Sequence, residues 1–316
     1  MKRTFFLLNC LLLFMVSVAQ KPHVPFVNLH PELPKVEKGD VVISHEGYSF
    51  LYKEEYEQSS WVAYELTKEE TAKAYERTNK FMPDPAVSTL TANNADYAGS
   101  GYDKGHLAPA ADMGWSATAM AESFYFSNMS PQVPGFNRGI WKKLEELVRS
   151  WAIENNSILI VTGPVLKEGL KTIGADRVSV PEEYYKVILD NHEPEIKGIA
   201  FLIPNASQSA GLQSFVVSID SVESVTGIDF FPGFPNEAAI EKTSSVEQWS
   251  WTRTTEQVTA SNQGFKDPVH STINQKQSPA QLKQCHGVTK SGGRCRNKTT
   301  NANGYCHLHQ SQAKGQ

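Results

Sequence analysis

Asp103-Lys104-Gly105-His106 gathers a carboxylate, an ammonium and an imidazole behind the glycine-punctuated stretch Gly99-Ser100-Gly101-Tyr102. A neutral imidazole with a carboxylate nearby is a competent general base near pH 7, and the glycines predict a loop that turns His106 toward a cleft. Farther on, Asn137, Trp141, Glu145 and Arg149 recur every fourth residue, the spacing that stacks side chains along one flank of a helix. An amide oxygen in the first turn and a carboxylate two turns on suit a hard cation such as magnesium, which takes few protein oxygens and keeps several waters. The same residues fit a plain helix, with Asn137 as its cap and Glu145–Arg149 as a surface ion pair worth roughly a few tenths of a kcal/mol. A third cluster closes the chain as Cys285-x9-Cys295-x10-Cys306-x2-His309. Three thiolates and one imidazole satisfy tetrahedral zinc, with His286 and His307 as competing ligands; one disulfide plus a free thiol is the other reading.

Several elements must position these groups. Residues 137–151 read as a helix whose core stripe is Ile140, Leu144, Leu147, Val148 and Trp151. Residues 41–44 and 48–52 alternate as a strand pair, and residues 60–66 continue with the same period of two. The apolar run 157–161 ends at Gly163-Pro164, and residues 184–189, 196–203 and 214–219 read as further strands. Residues 67–75 are charged and helix-permissive. The pattern predicts an α+β fold with a mainly antiparallel central sheet flanked by helices. His30, His45, His192 and His270 have no partner motif and are expected at the surface.

The 316 residues are 40% hydrophobic and 20% charged, with a mean hydropathy of −0.38. These values exclude a disordered chain and a multi-span membrane protein. The net charge of −4 excludes a uniformly basic nucleic-acid binder, yet it averages unlike parts: residues 20–280 carry 22 basic against 34 acidic side chains, and residues 281–316 carry six basic and no acidic ones. Lys2-Arg3, a mostly apolar run to residue 16 and Ser17-Val18-Ala19 predict a secretory signal over residues 1–19, hence an exported protein with no membrane partner once the signal is removed. A buried N-terminal helix and a lipoprotein signal at Cys10 compete with that reading. The expected organisation is an extended lead-in over residues 20–39, a catalytic domain over 40–250, a linker over 251–280 and the basic tail over 281–316.

Asp103-Lys104-Gly105-His106-Leu107-Ala108-Pro109-Ala110 resembles the Asp-Arg-Gly-His signature of the DNA/RNA non-specific endonucleases, the ββα-metal (His-Me finger) nucleases that include endonuclease G. Phe126-Ser127-Asn128-Met129-Ser130-Pro131-Gln132 followed by Asn137-Arg138-Gly139-x-Trp141-x-x-Leu144-Glu145 is similar to the family's second motif in content and spacing. Arg77-x3-Phe81-x2-Asp84-Pro85 resembles its arginine-bearing approach to the site, and the resemblance spans roughly residues 40–245. It implies that His106 is the general base, that Asn137 directly ligates Mg2+ (or Mn2+) and that Glu145 holds water around that cation. Arg77 and Arg149 would stabilise the scissile phosphate, and Asp103 would shape the loop. Lys104 departs from the usual arginine and loses its fork. Asn128, Gln132 and Arg138 would orient substrate or shape the site; for Asn128 and Gln132, satisfying loop backbone is the equal alternative. The tail resembles small Cys3His zinc-ribbon-like appendages.

The leading expectation is therefore a secreted, metal-dependent endonuclease acting on DNA and RNA and leaving 5′-phosphate ends. A non-catalytic nucleic-acid-binding protein and a phosphodiesterase acting on other phosphoesters are the alternatives. The oligomeric state, a homodimer included, stays open.

Overall fold

A computed structural model describes residues 30–253, apart from 193–195 and 245, and the short segments 283–284 and 298–299. Strands β1 (Val42–Ser44), β2 (Ser49–Lys53) and β3 (Gln58–Thr67) come first. Helix α1 (Asn94–Tyr97), strand β4 (Asp103–His106), helix α2 (Ala117–Glu122) and strand β5 (Met129–Gln132) follow. Helix α3 (Lys142–Asn155) leads into β6 (Ser157–Pro164), then β7 (Thr172–Ile173), β8 (Val178–Ser179), β9 (Glu183–Asp190) and β10 (Lys197–Pro204). Strand β11 (Val216–Val217) and helices α4 (Ile219–Thr226) and α5 (Glu237–Lys242) complete this unit.

Seven strands form one sheet in the order β1-β2-β3-β6-β9-β10-β11, and every neighbouring pair is antiparallel. All eight residues of β6 are buried, which is why its sequence is an unbroken apolar run rather than an alternation: a central strand covered on both faces has no side left to be polar. Alternate residues of β9 separate the two cores. Tyr184 and Ile188 join Trp141, Leu144, Val148 and Trp151 of the α3 side. Tyr185, Val187 and Leu189 join Ile219 and Val222 of α4 on the other face. Strands β4 and β5 stand apart as a two-stranded antiparallel ribbon, with His106 opposite Met129 and Asp103 opposite Gln132.

The expected strands at 41–52, 60–66, 157–161, 184–189 and 196–203 correspond to β1–β3, β6, β9 and β10. Elsewhere the structure corrects the pattern. Of residues 67–75, Thr67 ends β3 and the rest form only a 3-10 turn at Glu69–Thr71. Residues 214–219 hold only the two-residue β11, because Ser218 caps α4 by accepting from the Ser221 backbone N–H. Helix α4 stops at Gly227, whose φ of 71° is left-handed. The helix expected from residue 137 is regular only from Lys142: Phe136–Trp141 is a wider π-type turn in which Gly139 has φ −104° and ψ −108°. Asn137 is therefore not stacked one turn above Trp141 on a continuous helix. His106 lies at the end of a strand, not in a loop.

The second compact unit, residues 261–316, contains a short antiparallel pair in which Lys283–Gln284 faces Lys298–Thr299. The N-terminal leader and Cys285, Cys295, Cys306 and His309 lie outside the described residues. Among the described residues no helix is long and apolar enough to cross a membrane.

Candidate active site

The β4–β5 ribbon brings His106 to the edge of an open cleft of about 480 Å3, whose lining includes Arg77, Lys104, Asn137, Arg138, Glu145 and Arg149. Local packing explains each placement. Gly105 lets the two strands of the ribbon close, because a Cβ there would lie 2.1 Å from the Gln132 side chain. Phe124 meets the His106 ring edge-on at 5.0 Å between centroids, and Phe81 stands 5.9 Å away. The imidazole is 7% exposed, and its Nε2 has no hydrogen-bond partner among the described residues. Burial, then the charge of Arg77, pushes its pKa down to about 3. The ring is therefore neutral at pH 7 and keeps a lone pair for a proton.

Asp103 organises the other bank. Its carboxylate accepts from Asn137 Nδ2 at 2.9 Å and from Arg138 Nε and a terminal guanidinium nitrogen at 2.8 and 2.5 Å. Burial alone would raise the Asp103 pKa, but the hydrogen bonds from Arg138 and Asn137 outweigh it and hold the group below the ordinary carboxylate value. With its NH2 turned to Asp103, the Asn137 amide presents its oxygen as the end that could bind a cation, and Glu145 adds a carboxylate to the same cleft. One neutral oxygen and one carboxylate form the sparse, hard donor set that suits Mg2+ or Mn2+.

Arg77 donates from Nε to Asn79 and lies 5.0 Å over the Phe124 ring. Lys104 donates to Asn94 Oδ1 at 2.7 Å and sits 4.1 Å over the Phe81 ring. The lysine is thus held against the aromatic wall beside His106. Asn128 is fully buried and satisfies loop backbone: its Nδ2 donates to the Ala108 and Ser123 carbonyls and its Oδ1 accepts from the Ala108 N–H. Gln132 is also fully buried, with neither amide atom partnered among the described residues. Neither side chain lines the cleft.

Arg149 does not pair with Glu145 in the manner of a surface i,i+4 contact. It donates to Asp112 Oδ1 at 2.7 Å, while Tyr64 donates to Asp112 Oδ2 at 2.8 Å. Burial pushes the Glu145 carboxyl up, and Lys186 and Arg149 oppose that shift. Sequence reasoning missed Asp112, Lys186 and the rim cation Lys142, which also lines the cleft. A signal existed for two of them, since Asp112 and Lys186 each interrupt apolar sequence. His45 was expected at the surface, but its side chain is 7% exposed and its Nε2 lies 2.8 Å from Asp84 Oδ2. Ser127 donates to the same oxygen at 2.5 Å. His192 pairs with Asp190 at 3.0 Å and is half-exposed.

The chain belongs to the DNA/RNA non-specific endonuclease family, whose profile matches residues 32–237. A separate profile, a domain of unknown function, matches residues 282–315. Nuclease EXOG, mitochondrial, of Danio rerio is 38% identical over 203 residues, which cover 59% of this chain and 59% of that protein. Endonuclease G, mitochondrial, of Homo sapiens is 35% identical, covering 60% and 69% of the two chains. Nuclease C1 of Cunninghamella echinulata var. echinulata is 36% identical, covering 60% and 82%. The chain thus spans about three fifths of the length of the first EXOG relatives it matches. The crystal structure of the EndoG/EndoGI complex contains a chain similar to this one, with a TM-score of 0.59 and 33% identity over 63% of this chain and 87% of that one.

These relatives correct the expectation of export. The zebrafish, human and Schizosaccharomyces pombe proteins are mitochondrial nucleases by name, which runs against a secretory route. A basic start followed by an apolar run is a compositional signal, and composition alone does not assign the compartment.

Proposed function

We propose that the chain is a metal-dependent, sugar-non-specific endonuclease that hydrolyses phosphodiester bonds of DNA and RNA to 5′-phosphate products. The observation that carries this reading is the neutral, ring-clamped His106 facing a cleft in which Asp103 leaves the Asn137 amide oxygen as the open donor. The β4–β5 ribbon with α3 supports the ββα-metal arrangement. Asn137 directly, and Glu145 through water, would hold Mg2+ (or Mn2+), which supplies positive charge for the phosphate oxygens.

His106 takes the proton of the attacking water. An anionic phosphate beside the ring favours its protonated form, so its proton affinity rises when substrate is in place. Arg77 stabilises the charge that grows on the phosphate. Arg149, held by Asp112, adds fixed positive charge at the cleft floor. Lys104 and Arg138 attract flanking phosphates, and contacts of this kind position nucleic acid without reading bases. The local cluster of cations explains how a body with a net charge of −12 over residues 20–280 can take an anionic polymer.

In the tail, Cys285, Cys295, Cys306 and His309 are assigned to a structural Zn2+, tested by metal content with and without Cys295→Ser. For the main activity, plasmid DNA and RNA are incubated with purified protein in Mg2+ and in EDTA. His106→Ala should slow cleavage about 10²–10⁴-fold, and EDTA should abolish it. Cleavage indifferent to either change would overturn the mechanism.

A further inference from the structure

Lys186 is 0% exposed in the middle of β9, between Tyr184 and Ile188 on the face that packs against α3. Its Nζ has no hydrogen-bond acceptor among the described residues and lies 4.9 Å from the Trp141 ring centroid. A leucine or methionine would fill this place without the cost of burying an ammonium, so the charge needs a reason.

The surrounding groups supply one. The anions that act on Lys186 are Glu145 and Asp112, and the cation is Arg149. Both oxygens of Asp112 are already taken, one by Arg149 and the other by Tyr64. Glu145 is different: its carboxylate has no hydrogen bond or ion pair to another described residue. It stands one turn beyond Trp141, over whose ring Lys186 rests. Burial raises the Glu145 carboxyl and lowers the Lys186 ammonium, and the charge of each opposes the shift of the other. The two groups left over from the network therefore answer each other, one inside the core and one at the cleft floor.

We propose that Lys186 is a positioning residue that holds the Glu145 carboxylate in place from beneath and so sets how tightly the cleft takes a divalent cation. The inference rests on the reading of this cleft as a cation site. Two opposite effects make it testable. If Lys186 were only a nearby positive charge, removing it would lessen repulsion and tighten cation binding. If it positions Glu145, removing it weakens binding, by the about 10–100-fold typical of groups that support a metal's ligands.

Mn2+ binding by the full-length protein, followed by titration calorimetry without nucleic acid, separates these outcomes. Lys186→Met should weaken Mn2+ binding about 10–100-fold, and Glu145→Gln should weaken it comparably. Lys186→Met made in the Glu145→Gln background should add little, because the partner it acts through is gone. Tighter or unchanged binding in Lys186→Met, or equal losses in both backgrounds, would overturn the proposal. If the wild-type protein itself does not bind Mn2+, the reading of the cleft fails first. Should Lys186→Met not fold, Lys186→Arg against Lys186→Gln decides the question: only the neutral variant should lose Mn2+.

Discussion

Asp103 touches neither the open part of the cleft nor His106, yet its removal should cripple cation binding. Its carboxylate accepts the Asn137 Nδ2 hydrogen at 2.9 Å, and among the described residues that bond is what tells the amide which end to present. An amide without it can rotate and offer its NH2, which repels a cation. A hydrogen bond to a charged group contributes about 1.5–3 kcal/mol, and each 1.36 kcal/mol is tenfold. Asp103→Ala should therefore raise the Mg2+ concentration for half-maximal cleavage about 10–100-fold. Its melting temperature should change little, because Arg138 on the other side of the pair is 72% exposed. Arg138→Ala is the control: it removes the guanidinium but spares the Asn137 bond, so its Mg2+ requirement should stay near that of the wild type. Plasmid nicking over a range of Mg2+ concentrations measures both. An unaltered Mg2+ requirement in Asp103→Ala would refute the reasoning, since Asn137 would then be oriented by something else.

Gly105→Ala places a methyl group 2.1 Å from Gln132, an overpacking expected to cost about 1–3 kcal/mol; a thermal melt at the wild-type temperature would contradict that close approach. Asn128→Ala strands the Ala108 N–H and the carbonyls of Ala108 and Ser123, each worth about 1–3 kcal/mol when buried and unpaired. Denaturant titration should show it among the most destabilising single changes, and a midpoint close to wild type would count against the clasp. For Asp84, burial raises the pKa, but the hydrogen bonds from His45, Ser127 and the Ala86 N–H prevail and lower it. A depressed carboxylate stabilises the fold fully above its unfolded pKa of about 3.9 and loses that contribution as pH falls through the folded value. Stability measured from pH 6 to pH 2.5 should thus fall less steeply for Asp84→Asn than for the wild type; parallel curves would remove Asp84 from the acid response.

Much of this site is visible in the sequence because its parts lie close together along the chain. Asp103 to His106 occupies one strand, and Asn137 to Glu145 runs through one turn into one helix. The long apolar runs of β6 and β9 likewise declare themselves, since both faces of those strands are covered. What periodicity could not supply is pairing across the fold. The spacing of four predicted Glu145–Arg149, but Arg149 reaches back 37 residues to Asp112. His45 looked like an isolated polar residue until Asp84, 39 positions on, met it inside the protein. The helix is regular only from Lys142, because Gly139, at −104° and −108°, leaves the helical region while the apolar stripe of Ile140 and Leu144 runs on past it. For Asn128, the residue type allowed two roles, and only the positions of the Ala108 and Ser123 backbone groups separate them.

The β4–β5 ribbon is not part of the seven-stranded sheet, and that separation has a consequence for a chain whose proposed work is cutting nucleic acid. His106 travels with the ribbon, while Asn137 and Glu145 travel with the segment that enters α3. Asp103 joins the two through its bonds to Asn137 and Arg138. A growing chain that has made the ribbon but not yet α3 owns a base with nothing to act beside. On the proposed reading, cutting requires the ribbon and the entry to α3 to be docked together, and Asp103 is the joint on which that alignment turns.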